Sequence, residues 1–311
     1  MTAIGRRSPP RRAGRTKWLT IVLFVLPALV LYAVFVIMPV LQAMQYSLYK
    51  WNGIAPLTDF VGLQNYVTAL GNEAFQIAVG NNLLILVLSL AIQIPFSLGL
   101  AVLLNRRFRG RAALRLLFFL PYVLSEAVTG IVFTLMLQPD SVVDSTLTAV
   151  GLEGLIQDWL GDSTLVMITL FVLISWKYFG FHMIIMLAGL QGIPHELEEA
   201  ALIDGADRRQ SFRYVTLPLL GPTIRVSVFL SMIGALQLFE MVWVMTAGGP
   251  INASSTMAIA MFKAGFRSNQ FGYGSALAVI LFLFALVVAL LYQRFVLRRD
   301  TEGAVTAYGG G

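Results

Sequence analysis

The sequence predicts an all-α, polytopic membrane protein with six transmembrane helices and both termini on the cytoplasmic side. Three observations predict it. The 311 residues are 58% hydrophobic and only 12% charged, with a mean hydropathy of +0.78, whereas soluble domains carry roughly 25% charged residues. Apolar runs long enough for a hydrocarbon core of ~30 Å, which takes about 20 helical residues, recur six times. Lys and Arg gather in alternate gaps between those runs, which is an orientation signal.

The runs lie near residues 18–41, 75–104, 114–137, 165–190, 222–245 and 275–297. The first follows "RRSPPRRAGRTK" and resembles a secretory signal in its basic start. Its apolar stretch exceeds the usual 7–15 residues, and Pro39 and Gln42 follow in place of a small-residue cleavage site, so it reads as an uncleaved span. The second and fourth include interfacial turns. Between the first two runs, "DFVGLQNY" caps a short surface helix, and residues 138–162 read as one or two short amphipathic helices. No loop is large enough to be a catalytic domain.

Arg6, Arg7, Arg11, Arg12, Arg15 and Lys17 precede the first run. Arg106, Arg107, Arg109, Arg111 and Arg115 fall between the second and third, and Arg208, Arg209, Arg213 and Arg225 near the fourth and fifth. Arg294, Arg298 and Arg299 close the chain, while the alternate loops hold only Lys50, Lys263 and Arg267. Positive-inside orientation therefore assigns a basic cytoplasmic segment (1–17), a six-helix membrane domain (18–297) and a cytoplasmic tail (298–311). The net charge of +6 is this topological signal rather than a nucleic-acid arm. The chain has no Cys, which excludes disulfides, thiolate metal sites and Cys nucleophiles.

One cytoplasmic loop, residues 194–218, interrupts the grease with ordered helical signals. Pro194 suits a first helical turn, and Glu196, Glu198 and Glu199 favour the positive end of the helix dipole. Leu197, Ala200, Ala201 and Ile203 fall mostly on one face, and Gly205 can end the helix in left-handed geometry. A second helix over 206–215 follows, giving a rigid knuckle held between two spans. Read from residues alone, the knuckle is either an amphipathic hairpin lying on the membrane or a docking surface for another protein.

"EAALIDGADRRQSFRYVTLP" resembles the EAA loop of ABC importer permeases: Glu-Ala-Ala, three residues, Gly, nine residues, a β-branched residue, one residue, Leu-Pro. Val215 stands where Ile is usual. "FVGLQNY", "GLQGIP" and "TAGGPINASST" extend the resemblance to the carbohydrate-uptake subfamily, with its maltose F-type and glycerol-phosphate A-type subunits. The resemblance implies a type I importer permease in a bacterial cytoplasmic membrane, with no cofactor and no metal of its own. It implies a homologous second permease subunit, two ATP-binding cassette subunits that hold ATP and Mg, and an extracytoplasmic substrate-binding protein. It assigns ATPase coupling to Glu199, Ala200, Ala201, Asp204 and Gly205. It implies a carbohydrate substrate, an oligosaccharide first, with glycerol-3-phosphate or another polar solute as the alternative.

Polar and aromatic groups inside spans are default functional candidates, because unpaired polar groups in hydrocarbon are expensive. Sugars need rings for their C–H faces and donors and acceptors for their hydroxyls. Trp176, Tyr178, Phe181 and Trp243 offer rings; His182, Ser231, Gln237 and Glu240 offer hydrogen bonds. Lys177 either pairs with Glu240 or snorkels. Leu238 and Ala235 stand where the maltose subunit is polar, so maltose itself is not implied. "HELEE" lacks the second His of a zinc hydrolase, and no phosphate-cradling G-x-x-x-x-G-K-[ST] occurs. A membrane-embedded transferase would need paired acids, for which only Asp140 and Asp144 offer; a secondary transporter would show repeated halves, which are not evident.

Overall fold

A backbone crossing lipid must pair its own N–H and C=O groups, so apolar runs of this length fold as helices. The computed structural model describes residues 13–297; Arg6, Arg7, Arg11, Arg12 and the tail from residue 298 lie outside the described residues. In chain order the helices are α1 (Thr20–Tyr46, continuing a helical start at Ala13), α2 (Gln64–Gly71), α3 (Glu73–Asn105), α4 (Arg111–Val123) and α5 (Glu126–Met136). Then come α6 (Val142–Ala149), α7 (Val166–Gln191), α8 (His195–Ile203), α9 (Arg208–Leu219) and α10 (Gly221–Leu236). Last are α11 (Glu240–Thr246), α12 (Met257–Phe262) and α13 (Phe271–Leu297). No strand occurs among the described residues; Tyr49 and Phe60 form one isolated antiparallel bridge.

Four of these helices, α1, α3, α7 and α13, are long and apolar enough to cross a bilayer alone. Two helix pairs pass the same test only when taken together, α4 with α5 bent at 94° and α9 with α10 at 63°, so the crossings number four, or up to six if each pair is one span. Two expectations change as a result. The run 114–137 does not form a straight span, because Pro121 and the Leu124–Ser125 step end α4 and restart the helix as α5. The run 222–245 is not one helix either: α10 stops at Leu236 and the chain resumes helicity at Glu240. The second loop helix starts at Arg208 rather than 206, because Asp207 is its N-cap, and it runs on to Leu219.

α7 is the central element. Its 26 residues span roughly 39 Å at 1.5 Å per residue, and 56% of its apolar window is buried, against none for α1. One end packs in a cluster with Ile85, Met241, Val242 and Ile259, contributing residues up to Ile174. The other end, from Met183, packs with Ile94, Ala101, Leu104 and Leu220. A Cβ on Gly180 would sit 1.9 Å from the Phe118 carbonyl oxygen, so the missing side chain is what lets α4 lie across α7.

Among the described residues five helical stretches widen into π turns, and three of them precede a proline by two residues: Ala33–Ile37 before Pro39, Ser89–Gln93 before Pro95, and Phe212–Thr216 before Pro218. Proline removes a donor and crowds the carbonyl four residues back. An added residue in the preceding turn relieves that crowding, and the helix continues through i→i−5 bonds such as Ile94 N–H to the Ser89 carbonyl.

Gly180→Ala tests the α4–α7 crossing. It should lower the thermal midpoint of the purified protein through overpacking of about 1–3 kcal/mol; an unchanged midpoint would contradict the crossing.

Candidate functional site

Between the two packed ends of α7 lies a cavity of about 200 Å³. Tyr178, Phe181 and His182 project into it from α7, Ser231 from α10, Ser89 and Gln93 from α3, and Tyr122 and Glu126 from the α4–α5 break. The π turn Ser89–Gln93 brings both ends of that segment to the cavity wall. Ser89 and Gln93 are each 3% exposed and Ser231 is 7% exposed. None of the three side chains has a hydrogen-bond partner among the described residues. Their polar atoms keep access to the cavity, where a polar solute can meet them.

The aromatic wall is ordered. Tyr122 stacks on Phe181 with ring centroids 4.6 Å apart and meets Tyr178 edge-on at 5.8 Å. The Tyr178 hydroxyl donates to Oε1 of Glu126. Deeper in, His182 Nδ1 shares a 2.7 Å hydrogen bond with the Ser227 hydroxyl, which fixes the ring.

The ends of α4 and α10 are closed by buried polar side chains. Lys177, 2% exposed, donates Nζ to the Leu124 carbonyl and, at 3.4 Å, to that of Pro121, capping the end of α4. Asn82 donates to the carbonyls of Ala235 at 2.7 Å and Leu236 at 3.3 Å, capping α10, and accepts from Met257 N–H at 2.8 Å. Thr256 donates to the Leu238 carbonyl at 2.8 Å while capping the start of α12. The "TAGGPINASST" stretch is thus the strap that joins α11 to α12. Asn81 holds it through the Ala253 and Ser255 carbonyls at 2.8 and 2.9 Å.

The expected substrate contacts divide accordingly. Tyr178, Phe181, His182 and Ser231 meet at the cavity. Trp176 instead packs edge-on against Phe133 at 5.1 Å. Gln237 and Glu240 sit exposed at the α10–α11 break, and Trp243 stacks on Phe239 under the Arg267 guanidinium. Those four do not line the cavity. Lys177 neither snorkels nor forms an ion pair with Glu240; its ammonium donates hydrogen bonds to the carbonyls at the end of α4. Ser89, Gln93, Tyr122 and Glu126 were missed from sequence, although Glu126 is an acid within an apolar run and carried the signal. Asp140 and Asp144 are tied into one turn, the Asp140 N–H donating to Asp144 at 3.0 Å.

The knuckle forms at the far end of α7. Gly205, at φ +88°, closes α8 with paired bonds, Gly205 N–H to Leu202 O at 3.1 Å and Ala206 N–H to Ala201 O at 3.0 Å. Asp207 and Gln210 then form a reciprocal capping box that starts α9. The Thr216 hydroxyl donates to Glu198 at 2.8 Å and staples α9 to α8. Glu199, Ala200, Asp204 and Gly205 are exposed, Ala201 partly so, and no residue of α8 is buried. Leu202 and Ile203 stand 47% and 85% exposed.

Residues 93–301 match the family model of binding-protein-dependent transport system inner membrane components. The chain is 38% identical over 274 residues to a probable ABC transporter permease of Pyrococcus horikoshii, covering 88% of this chain and 94% of the relative. It is 34% identical over 295 residues to the lactose transport system permease LacF of Rhizobium radiobacter, covering 94% and 97%. In fold it resembles a bacterial ABC transporter involved in the import of the acidic polysaccharide alginate, with a TM-score of 0.80 at 24% identity, covering 91% of this chain and 96% of that one.

Lys177→Met removes the cap on α4. Freeing its carbonyls should cost about 1–3 kcal/mol and show as a lower thermal midpoint of the purified protein. A midpoint equal to wild type would contradict the capping role.

Proposed function

The chain belongs to the family of binding-protein-dependent transport system inner membrane components, and on that premise we propose that it forms half of the pathway of an ATP-driven carbohydrate importer. It is a non-catalytic membrane subunit. In this reading a homologous second permease completes the pathway, two ATP-binding cassette subunits hold ATP and Mg, and an extracytoplasmic binding protein delivers the solute. Both termini and the α8–α9 knuckle face the cytoplasm, where the Lys and Arg excess accumulates.

The observation that carries this reading is the knuckle. Two short helices, stapled by Thr216 and Glu198 and hinged at Gly205, stand clear of the bundle with apolar Leu202 and Ile203 uncovered. Small residues at Ala200, Ala201 and Gly205 let a partner's surface approach closely, and Glu199 offers it a carboxylate. Closure of the ATPase pair then pushes α8; α7 and α10, joined to the two ends of the knuckle, carry the push to the cavity. The cavity supplies what a sugar needs: ring faces from Tyr122, Tyr178 and Phe181 and polar groups from Ser89, Gln93, His182 and Ser231. Its volume suits one sugar ring in this half, so an oligosaccharide would extend into the partner's half.

Gly205→Pro cannot adopt the positive φ of the native turn. It should insert normally while solute uptake falls at least about tenfold and ATPase activity no longer responds to the loaded binding protein. Glu199→Lys should act in the same direction. Wild-type uptake by a well-expressed Gly205→Pro protein would remove the coupling role.

A further inference from the structure

We infer that the cleft between the knuckle and the bundle is a binding site for a phosphate group. The cleft has a volume of about 530 Å³ and lies among the ends of α3 and α7 and the two knuckle helices. Arg106 enters it from just past α3, and Arg208 and Arg209 enter from α9, so two distant segments bring three guanidiniums to one place. Among the described residues no hydrogen bond or ion pair engages any of these three side chains. Glu198 is the one acid on the wall, and it accepts from the Thr216 hydroxyl. Asp207, beside Arg208, is not on the wall; its carboxylate accepts from the Arg209 and Gln210 amides.

Helix stability does not account for these arginines. Arg208 and Arg209 open α9, the end at which the dipole disfavours cations. Four residues on from them stand Phe212 and Arg213, so no acid on the same helix face offsets either charge. Like charges across a cleft repel, and an anion between them turns that repulsion into attraction. Arginine suits phosphate above other anion binders, because its planar fork donates to two phosphate oxygens at once.

The remaining wall is apolar, made by Val102, Leu190, Leu202 and Phe212. That side fits the glycerol and first acyl carbons of a phospholipid whose headgroup meets the arginines; a soluble phosphorylated metabolite offers the same oxygens without the apolar part. Glu199, Ala200, Ala201, Asp204 and Gly205 do not line the cleft. A phosphate held there therefore ties α9 to the end of α3 and leaves those residues to the surface proposed for the ATPase.

The test uses the purified assembly in neutral detergent, without nucleotide, with bound adducts read by native mass spectrometry. Three probes are titrated: phosphatidylglycerol, phosphatidylcholine, whose phosphate is offset by its own choline, and fructose 1,6-bisphosphate. Binding confined to phosphatidylglycerol supports the inference and assigns a lipid headgroup. Binding confined to the bisphosphate supports it and assigns a soluble phosphate, and binding of both supports the shared chemistry. Binding of neither overturns it, as does phosphatidylcholine bound as tightly as phosphatidylglycerol.

For whichever probe binds, Arg106→Gln should raise Kd at least about tenfold, and Arg106→Lys, which keeps the charge but loses the fork, should fall between the two. An unchanged Kd in Arg106→Gln would overturn the inference, because the probe then sits elsewhere, at the nucleotide sites or on the lipid-facing surface. Should Arg106→Gln yield no intact assembly, the double variant Arg208→Gln/Arg209→Gln, at two exposed positions, takes its place with the same expected rise and the same contrary result.

Discussion

The structure depends on one constraint: inside a bilayer no backbone carbonyl can be left without a donor. A bundle of unbroken helices would satisfy it trivially and would contain no site. Here α4 and α10 stop partway, and the freed carbonyls go to Lys177, Asn82 and Thr256. A buried Lys and a buried Asn are expensive in hydrocarbon, and both are placed where that expense is offset by the ends they close. The breaks in turn create the cavity, because they turn Glu126 and Tyr122 inward on one side and leave Ser231 facing them from α10 on the other.

The same helices that hold the cavity hold the knuckle. α7 passes from the cavity wall at Tyr178 and His182 to its end at Gln191, and α8 begins four residues later. Leu220, at the α9–α10 bend, is packed into the same cluster as Met183, Met186 and Leu190 of α7. On the proposed reading, movement of the knuckle shifts both walls of the cavity together, since close-packed interiors transmit displacement. The apolar window of α1 has no buried residue. On the proposed reading, lipid and the second permease are what it faces.

Much of this was legible in the sequence, for physical reasons. Hydropathy located the four helices long enough to cross a bilayer alone because burial in lipid demands long apolar runs. Gly205 marked the turn because a positive φ favours that residue, whereas the Asp207–Gln210 capping box that starts α9 at Arg208 was not read. Tyr178, Phe181, His182 and Ser231 stood out as polar or aromatic groups within apolar runs. What stayed hidden was tertiary. Nothing local distinguishes Trp243, stacked at the rim, from a ring in the cavity, or tells that Lys177 reaches a carbonyl 53 residues earlier in the chain. Hydropathy averages over the α10–α11 break because Gln237 is one polar residue among many apolar ones, and the groups that stabilise the unwound turn, Asn82 and Thr256, come from distant segments. Ser89 and Gln93, four residues apart on one helix face, border the cavity only because α3 packs against α7 and α10.

On the proposed reading the cavity is an access site whose opening follows the nucleotide state of the cassette subunits docked on the knuckle. The chain has no cysteine, so a single Ser231→Cys substitution gives a clean probe in the reconstituted assembly. The account predicts that a membrane-impermeant thiol reagent labels residue 231 from one side without nucleotide and from the other when the ATPase subunits are trapped closed. Labelling from the same side in both states, or from neither, would contradict it.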